Sequence, residues 1–144
     1  MIAENAVTVP PEIPWIVTPH PGEASRLAGV ATVEVESDRV SWAATLAERY
    51  AAVVVLKGAG TVIAAPSQDD QTFICVGGNP GMATGGMGDV LAGLTSALVA
   101  QGLSLMEASA LGVATHARAG DLAWNRYGVG LTATDVADGL GVEL

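Results

Sequence analysis

Seven of the chain's 18 glycines fall within residues 77–93, and this cluster constrains the fold more than any other feature of the sequence. The segment reads GGNPGMATGGMGDVLAG, a glycine-rich loop that runs into an apolar helix. Backbone amides at the start of a helix can bind an anion, because the helix dipole is positive there. The sequence therefore predicts an anion hole formed by the main-chain amides of Gly85, Gly86, Met87 and Gly88.

Asp89 follows this loop directly and falls in the first turn of the predicted helix. The helix dipole favours the ionised carboxylate there, which could accept a proton from a hydroxyl beside a bound phosphoryl group. The Walker pattern is absent because no Lys-Ser/Thr pair follows the loop. The dinucleotide fingerprint is absent because Leu91 stands where its third glycine is needed. The alternative is that Asp89 only caps the helix and that the glycines only turn the chain.

A second glycine-containing turn follows the buried apolar run Val53–Leu56. Its residues are Lys57, Gly58, Ala59, Gly60 and Thr61, and it leads into another apolar run over 61–65. Because two of these residues lack side chains, a nucleotide base and ribose could lie close against the backbone. A plain hairpin with an outward lysine is the alternative interpretation.

The chain has two histidines, which occupy different settings. His20 lies between Pro19 and Pro21 after a short predicted strand, so its ring could be held rigidly at a cleft or simply face solvent. His116 lies on a long predicted helix, where a packed or hydrogen-bonded structural role is favoured. No His/Cys/Asp/Glu cluster has metal-ligand spacing, and no Gly-x-Ser-x-Gly elbow is present.

The acidic composition restricts the possible partners. Fifteen acidic and six basic side chains give a formal charge of -9, which should repel nucleic-acid phosphates and anionic lipid. We therefore expect neither a nucleic-acid nor a membrane partner. Residues 1–14 show no signal-peptide pattern. The single cysteine, Cys75, is expected to be a buried thiol in the run 73–76, and a reducing cytoplasm fits such a chain.

The periodicity predicts an α/β fold, with one domain or part of one over residues 1–144. Strands are expected at 15–17, 53–56, 61–65 and 72–76, with a polar loop at 66–71. Helices are expected from Glu23, over 38–51 behind a Ser37 or Asp38 cap, and at 89–100. Two more helices are expected: one over 104–126 that stops at Gly128, and one over 133–140 behind Thr132 or Thr134.

Four segments resemble the NAD(P)H-hydrate dehydratase family in sequence, order and spacing. They are TPHPGE at 18–23, KGAGTVIA at 57–64, NPGMATGGMGDVLAG at 79–93 and HARAGD at 116–121. The resemblance implies a ribokinase-like fold with α/β/α layers, of which residues from about Trp15 to Leu140 look like the C-terminal half. It also implies an exposed apolar sheet edge and pairing with a missing N-terminal half or with a second copy of the chain.

The resemblance further implies ADP-dependent (S)-NAD(P)H-hydrate dehydratase activity, a carbon–oxygen lyase reaction that regenerates NADH or NADPH from its hydrate. His20 would contact the hydrated dinucleotide, Lys57 through Thr61 and Gly88 would bind ADP (or ATP), and Asp89 would touch the substrate. Asp89 would activate the hydrate's hydroxyl for phosphorylation, phosphate would then depart, and Mg²⁺ would offset charge. A small-molecule kinase of the ribokinase superfamily and an inactive nucleotide-binding fragment are the alternatives.

Overall fold

The computed structural model describes residues 14–66 and 72–143, which fall into two compact units, Met1–Ile74 and Cys75–Leu144. The expectation about a signal peptide concerns residues 1–14, of which 1–13 lie outside the described residues. Residues 67–71 of the predicted loop at 66–71 lie outside them as well. The assignment of 1–144 to one domain or part of one stays a prediction.

The sheet has four strands in the order β1-β2-β3-β4, which follows the order of the chain. The strands are β1 (Ile16–Val17), β2 (Val53–Leu56), β3 (Thr61–Ala64) and β4 (Thr72–Cys75). β1 and β2 are parallel, with Ile16 opposite Val53, whereas β2 and β3 are antiparallel, with Val55 opposite Ile63. The parallel pair places the carboxyl ends of β1 and β2 side by side, and the segments that follow them carry predicted site residues.

Three helices complete the first unit: α1 (Pro21–Ala28), α2 (Thr32–Ser37) and α3 (Arg39–Tyr50). Helix α3 contacts β2 and β3, and its Leu46 is fully buried in a core shared with Val54 and Leu56. The predicted Asp38 cap is confirmed, since its carboxylate accepts a hydrogen bond from Ser41 N at 3.0 Å. Helix α1 begins two residues before the predicted Glu23, because a proline fits the first helical position, and α2 was not predicted.

The second unit contains α4 (Met87–Ala100), α5 (Leu105–Tyr127) and α6 (Ala133–Glu143), with 3₁₀ turns at Pro80–Met82 and Gly128–Gly130. Helix α5 contacts both other helices, and buried small residues line its surface. A Cβ on Gly112 would lie 2.8 Å from Thr95 Oγ1, so this glycine permits the close approach of α4 and α5. Thr132, one of the two predicted caps of α6, accepts from Asp135 N at 3.4 Å.

Strand β4 is an exposed edge of the sheet. Phe73 and Ile74 are 42% and 55% exposed, which agrees with the expected apolar edge. The expectation of a buried Cys75 is wrong, since the thiol is only half-buried. Helix α3 packs on β2 and β3 but not to a comparable extent on β4, so the side chains of β4 lack that cover among the described residues. Across residues 14–66 and 72–143, no helix is both long and apolar enough to cross a bilayer.

Candidate functional site

His20 begins helix α1 and is held by a reciprocal cap. Its Nδ1 accepts hydrogen bonds from Gly22 N at 3.1 Å and Glu23 N at 3.2 Å. The Glu23 carboxylate accepts from His20 N at 2.7 Å. Because Nδ1 is the acceptor, the neutral ring carries its proton on Nε2. Hydrogen bonds thus anchor the ring, and its side chain is 51% exposed, as the solvent-facing alternative expected. Its contact with the hydrated dinucleotide stays a prediction.

Lys57 lies beside this cap, at the end of the neighbouring parallel strand. Its backbone N donates to Pro19 O at 2.9 Å, and its Nζ lies 3.8 Å from Glu23 Oε2. The lysine side chain is only 25% exposed, which differs from the outward lysine of a plain hairpin. The fold thus brings together two predicted site residues, His20 and Lys57, through Glu23. Sequence reasoning gave Glu23 no role.

Arg39 holds the turn that follows Lys57. Its guanidinium donates to the carbonyl oxygens of Leu56 at 2.9 Å and Lys57 at 3.0 Å, and also to that of Ala59. A Cβ on Gly58, where φ is 139°, would lie 2.9 Å from Arg39 Nη2, so the turn requires glycine there. Burial lowers the pKa of Arg39, and the negative charge of Glu36 acts in the opposite direction. Sequence reasoning gave Arg39 no role.

The predicted anion hole lies at the start of α4, in the second unit. Gly86 is the N-cap in a left-handed conformation, with φ 86°. The amides of Asp89 and Val90 both donate to Gly86 O, at 3.0 and 3.1 Å. The amides of Met87 and Gly88 come before these donors and have no acceptor within the helix. Gly86 has no side chain to cap them.

Asp89 is the third residue of α4 and is exposed. The cap position belongs to Gly86, and within the described part of the chain the Asp89 carboxylate makes no hydrogen bond. Gly85 and Gly86 are exposed as well, and Gly88 is half-buried, whereas the Met87 side chain is buried against Ala119 and its neighbours. The helix start therefore combines amides that have no acceptor within the helix with an exposed carboxylate, which suits a phosphoryl group beside a hydroxyl.

His116 of α5 lies behind the start of α4. It is 8% exposed, and within the described residues its Nε2 has no hydrogen-bond partner. Burial lowers the pKa of the imidazole, and a hydrogen bond to the backbone of Met87 partly offsets this shift. A packed or hydrogen-bonded role was expected of His116, and its burial agrees with the packed one.

His116 should make the stability of the chain depend on pH. Its pKa lies below the ordinary 6.5 in the folded state, so only the unfolded chain takes up a proton as the pH first falls below about 6.5. The free energy of unfolding should drop by up to about 1.4 kcal/mol per pH unit, until the pH passes the folded-state pKa. Urea unfolding at several pH values should show this slope in the native chain and lose it in His116→Gln. Equal slopes in both proteins would contradict the assignment.

No group of three His, Cys, Asp or Glu in the described ranges is placed to hold a metal ion. A nucleotide-bound Mg²⁺ needs few protein ligands, because phosphate oxygens and water supply most of its coordination. The exposed Asp89 carboxylate is an oxygen ligand of the kind that this ion prefers.

A family model described as NAD(P)H-hydrate dehydratase matches residues 1–141. The bifunctional NAD(P)H-hydrate repair enzyme Nnr of Coxiella burnetii is 53% identical over 85% of this chain and 25% of its own length. The ADP-dependent (S)-NAD(P)H-hydrate dehydratase of Neisseria meningitidis is 40% identical, over 85% of this chain and 41% of its own length. The chain thus spans about a quarter of the first relative and two fifths of the second.

Solved structures agree with these relatives. The ADP/ATP-dependent NAD(P)H-hydrate dehydratase from Bacillus subtilis, co-crystallised with ATP and Mg²⁺, has a TM-score of 0.82 at 33% identity and covers 90% of this chain and 47% of that one. A ribokinase-like superfamily protein from Enterococcus faecalis has a TM-score of 0.80 at 28% identity, over 98% and 47%. The expected ribokinase-like α/β fold is confirmed, and the chain belongs to the NAD(P)H-hydrate dehydratase family.

Proposed function

We propose that this chain carries out the ADP-dependent dehydration of hydrated NADH or NADPH, a repair reaction that restores the reduced dinucleotide. The observation that carries the proposal is the start of α4, where the free amides of Met87 and Gly88 precede the exposed Asp89 carboxylate. The name of the Neisseria relative and that of the Bacillus structure support the choice of reaction and of nucleotide.

The residues have distinct proposed roles. Asp89 accepts the proton of the hydrate's hydroxyl as that oxygen attacks the terminal phosphorus of ADP. The amides of residues 85–88 bind the phosphoryl oxygens, whose negative charge the helix dipole favours. Lys57 through Thr61, together with Gly88, bind the nucleotide, and His20 contacts the hydrated dinucleotide. Mg²⁺ would neutralise part of the phosphate charge when bound.

Phosphorylation makes the elimination possible. Hydroxide is a poor leaving group, whereas phosphate departs readily with the electrons of the carbon–oxygen bond. Transfer from ADP gives AMP and a phosphorylated hydrate. Loss of phosphate and of the proton on the adjacent carbon then restores the ring double bond. We place the reaction in the cytoplasm, and the partner of the chain is a second copy or a segment equivalent to the N-terminal half of its longer relatives.

A direct absorbance assay tests the proposal. The purified chain is incubated with ADP and hydrated NADH, and the near-ultraviolet absorbance of the reduced nicotinamide is followed. Recovery of that absorbance together with formation of AMP and phosphate supports the proposal. Stable phosphorylation of a substrate without recovery indicates a kinase, and ADP binding without turnover indicates a binding fragment; either result would contradict the proposed reaction.

Lys57 provides a prediction for nucleotide binding. It is the only lysine of the chain, and it is held in place by Glu23 and by its own backbone contact with Pro19. Lys57→Ala removes the positive charge of the proposed nucleotide-binding turn and should weaken ADP binding about tenfold by calorimetry. Arg26→Ala, which removes an exposed positive charge from α1, is the matched control and should leave the affinity unchanged. Equal affinities for both variants would remove Lys57 from the site.

A further inference from the structure

One face of α5 contacts the beginning of the glycine-rich segment. Ala117, Gly120, Asp121 and Trp124 are three or four residues apart and so lie on the same side of the helix. A Cβ on Gly77 would lie 3.3 Å from Ala117 Cβ, and one on Gly81 would lie 2.7 Å from the Trp124 ring. A Cβ on Gly120 would overlap the thioether of Met82, so a larger residue there would have to displace that side chain. The segment 77–82 therefore follows the surface of α5 closely.

Asp121 makes the polar contacts within this face. Its Oδ2 accepts from Gly78 N at 3.2 Å, and its Oδ1 accepts from Asn79 Nδ2 at 2.9 Å. Asn79 Oδ1 in turn accepts from Gly81 N at 3.1 Å, which caps the 3₁₀ turn at Pro80–Met82. Both partners of Asp121 are donors, and a carboxylate is the side chain that accepts through both of its oxygens.

The far end of the segment also rests on α5. The side chain of Met87, the first residue of α4, is buried in a cluster with Ala119 and Ala123 of α5. The amides of Gly85 and Gly86 lie between these two attachments. A displacement at either attachment would move the anion-binding amides relative to Asp89.

We propose that Asp121 is a positioning residue for phosphoryl transfer, acting through Asn79 and the glycine-rich segment on the amides at the start of α4. This inference rests on the proposed function. It accounts for the final aspartate of the HARAGD motif, whose carboxylate accepts hydrogen bonds from the glycine-rich segment. Misalignment of an anion hole lowers the rate of the chemical step more than it weakens ground-state binding.

An exchange of the two side chains tests this role. Asp121→Asn replaces one accepting oxygen by an NH₂ group, which then faces one of the two donors that the carboxylate bound. Asn79→Asp places two carboxylates face to face. Each single variant should lower kcat by about 10- to 100-fold while the KM for ADP stays within about threefold. The double variant restores a donor–acceptor pair between the two side chains, because the amide introduced at position 121 can donate to the carboxylate introduced at position 79. It should recover kcat to within about threefold of the native chain.

The matched control is Glu107→Gln, which alters a carboxylate of the same helix about 20 Å away along its axis. Glu107 accepts from Ser104 N at 3.0 Å and from Ser104 Oγ at 2.6 Å, so the change weakens a comparable pair of hydrogen bonds far from the glycine-rich segment. Amide hydrogen exchange over 77–88 should rise in both single variants at positions 79 and 121, but not in this control.

The possible outcomes are separable. Loss of kcat with recovery in the double variant supports the positioning role. The positioning role is overturned if the native chain is active and Asp121→Asn is as fast as the Glu107→Gln control. It is also overturned if the double variant is no faster than the single variants. Either result leaves the proposed function standing. A native chain without turnover overturns both.

Discussion

Asp89→Asn should abolish turnover of hydrated NADH, with a loss of about 10²- to 10⁴-fold in kcat, because an amide cannot take the hydroxyl proton. The substitution keeps the shape of the side chain and leaves every main-chain amide of residues 85–88 in place. Binding of ADP should therefore change by no more than a few-fold. Helix α4 should lose only about 0.3–1 kcal/mol, since a negative charge in its first turn interacts favourably with the helix dipole.

Rapid-mix measurement of AMP formation, alongside calorimetry with ADP, separates the chemical step from nucleotide binding. Asp138→Asn is the control, because it also converts an exposed aspartate to an amide within the same unit, but on α6. A rate for Asp89→Asn that matches this control would exclude Asp89 as the base. A loss of ADP affinity as large as the loss of rate would instead assign the residue to nucleotide binding.

Arg39→Met should produce the second large effect, in the first unit. It removes the donor to three carbonyl oxygens, and one of these belongs to the fully buried Leu56. A buried acceptor without a donor costs about 1–3 kcal/mol, so we expect a loss of this size in the free energy of unfolding. Because the turn at 57–60 loses its support, ADP affinity should fall at least about tenfold as well.

Arg49→Met provides the comparison for this variant. Arg49 Nη1 donates to the carbonyl oxygens of Leu27 and Ala28, at 3.1 and 2.9 Å, so it supports the end of α1 in a similar way. Its replacement should lower stability by a similar amount and leave ADP affinity intact. If both variants lose affinity in proportion to their loss of stability, Arg39 has no particular role in the affinity of the turn at 57–61.

The sequence predicted those features that depend on neighbouring residues. The Asp38 cap, the buried run Val53–Leu56 and the glycine start of α4 each follow from the preferences of adjacent side chains, and all three are present. The early start of α1 at Pro21 is a small error of the same local kind, since a proline can either end a strand or begin a helix.

The contacts that organise the candidate site are long-range and carry no local signal. Arg39 reaches carbonyls 17–20 residues away, and Asp121 reaches donors 42 and 43 residues away. Glu23 was not recognised as the partner of Lys57, because that pairing depends on the parallel alignment of β1 and β2. The predicted burial of Cys75 in β4 was wrong for a related reason. An apolar run does not reveal whether its strand is central or terminal in the sheet.

The position of Lys57 affects how this chain can be handled at the bench. Its ε-amino group is the only one in the molecule, and it is partly shielded by the Glu23 carboxylate. Amine-directed dyes, cross-linkers and sensor-chip coupling would have no other lysine to modify. Any sample coupled through this side chain would therefore be altered at the turn at 57–61, the proposed nucleotide site.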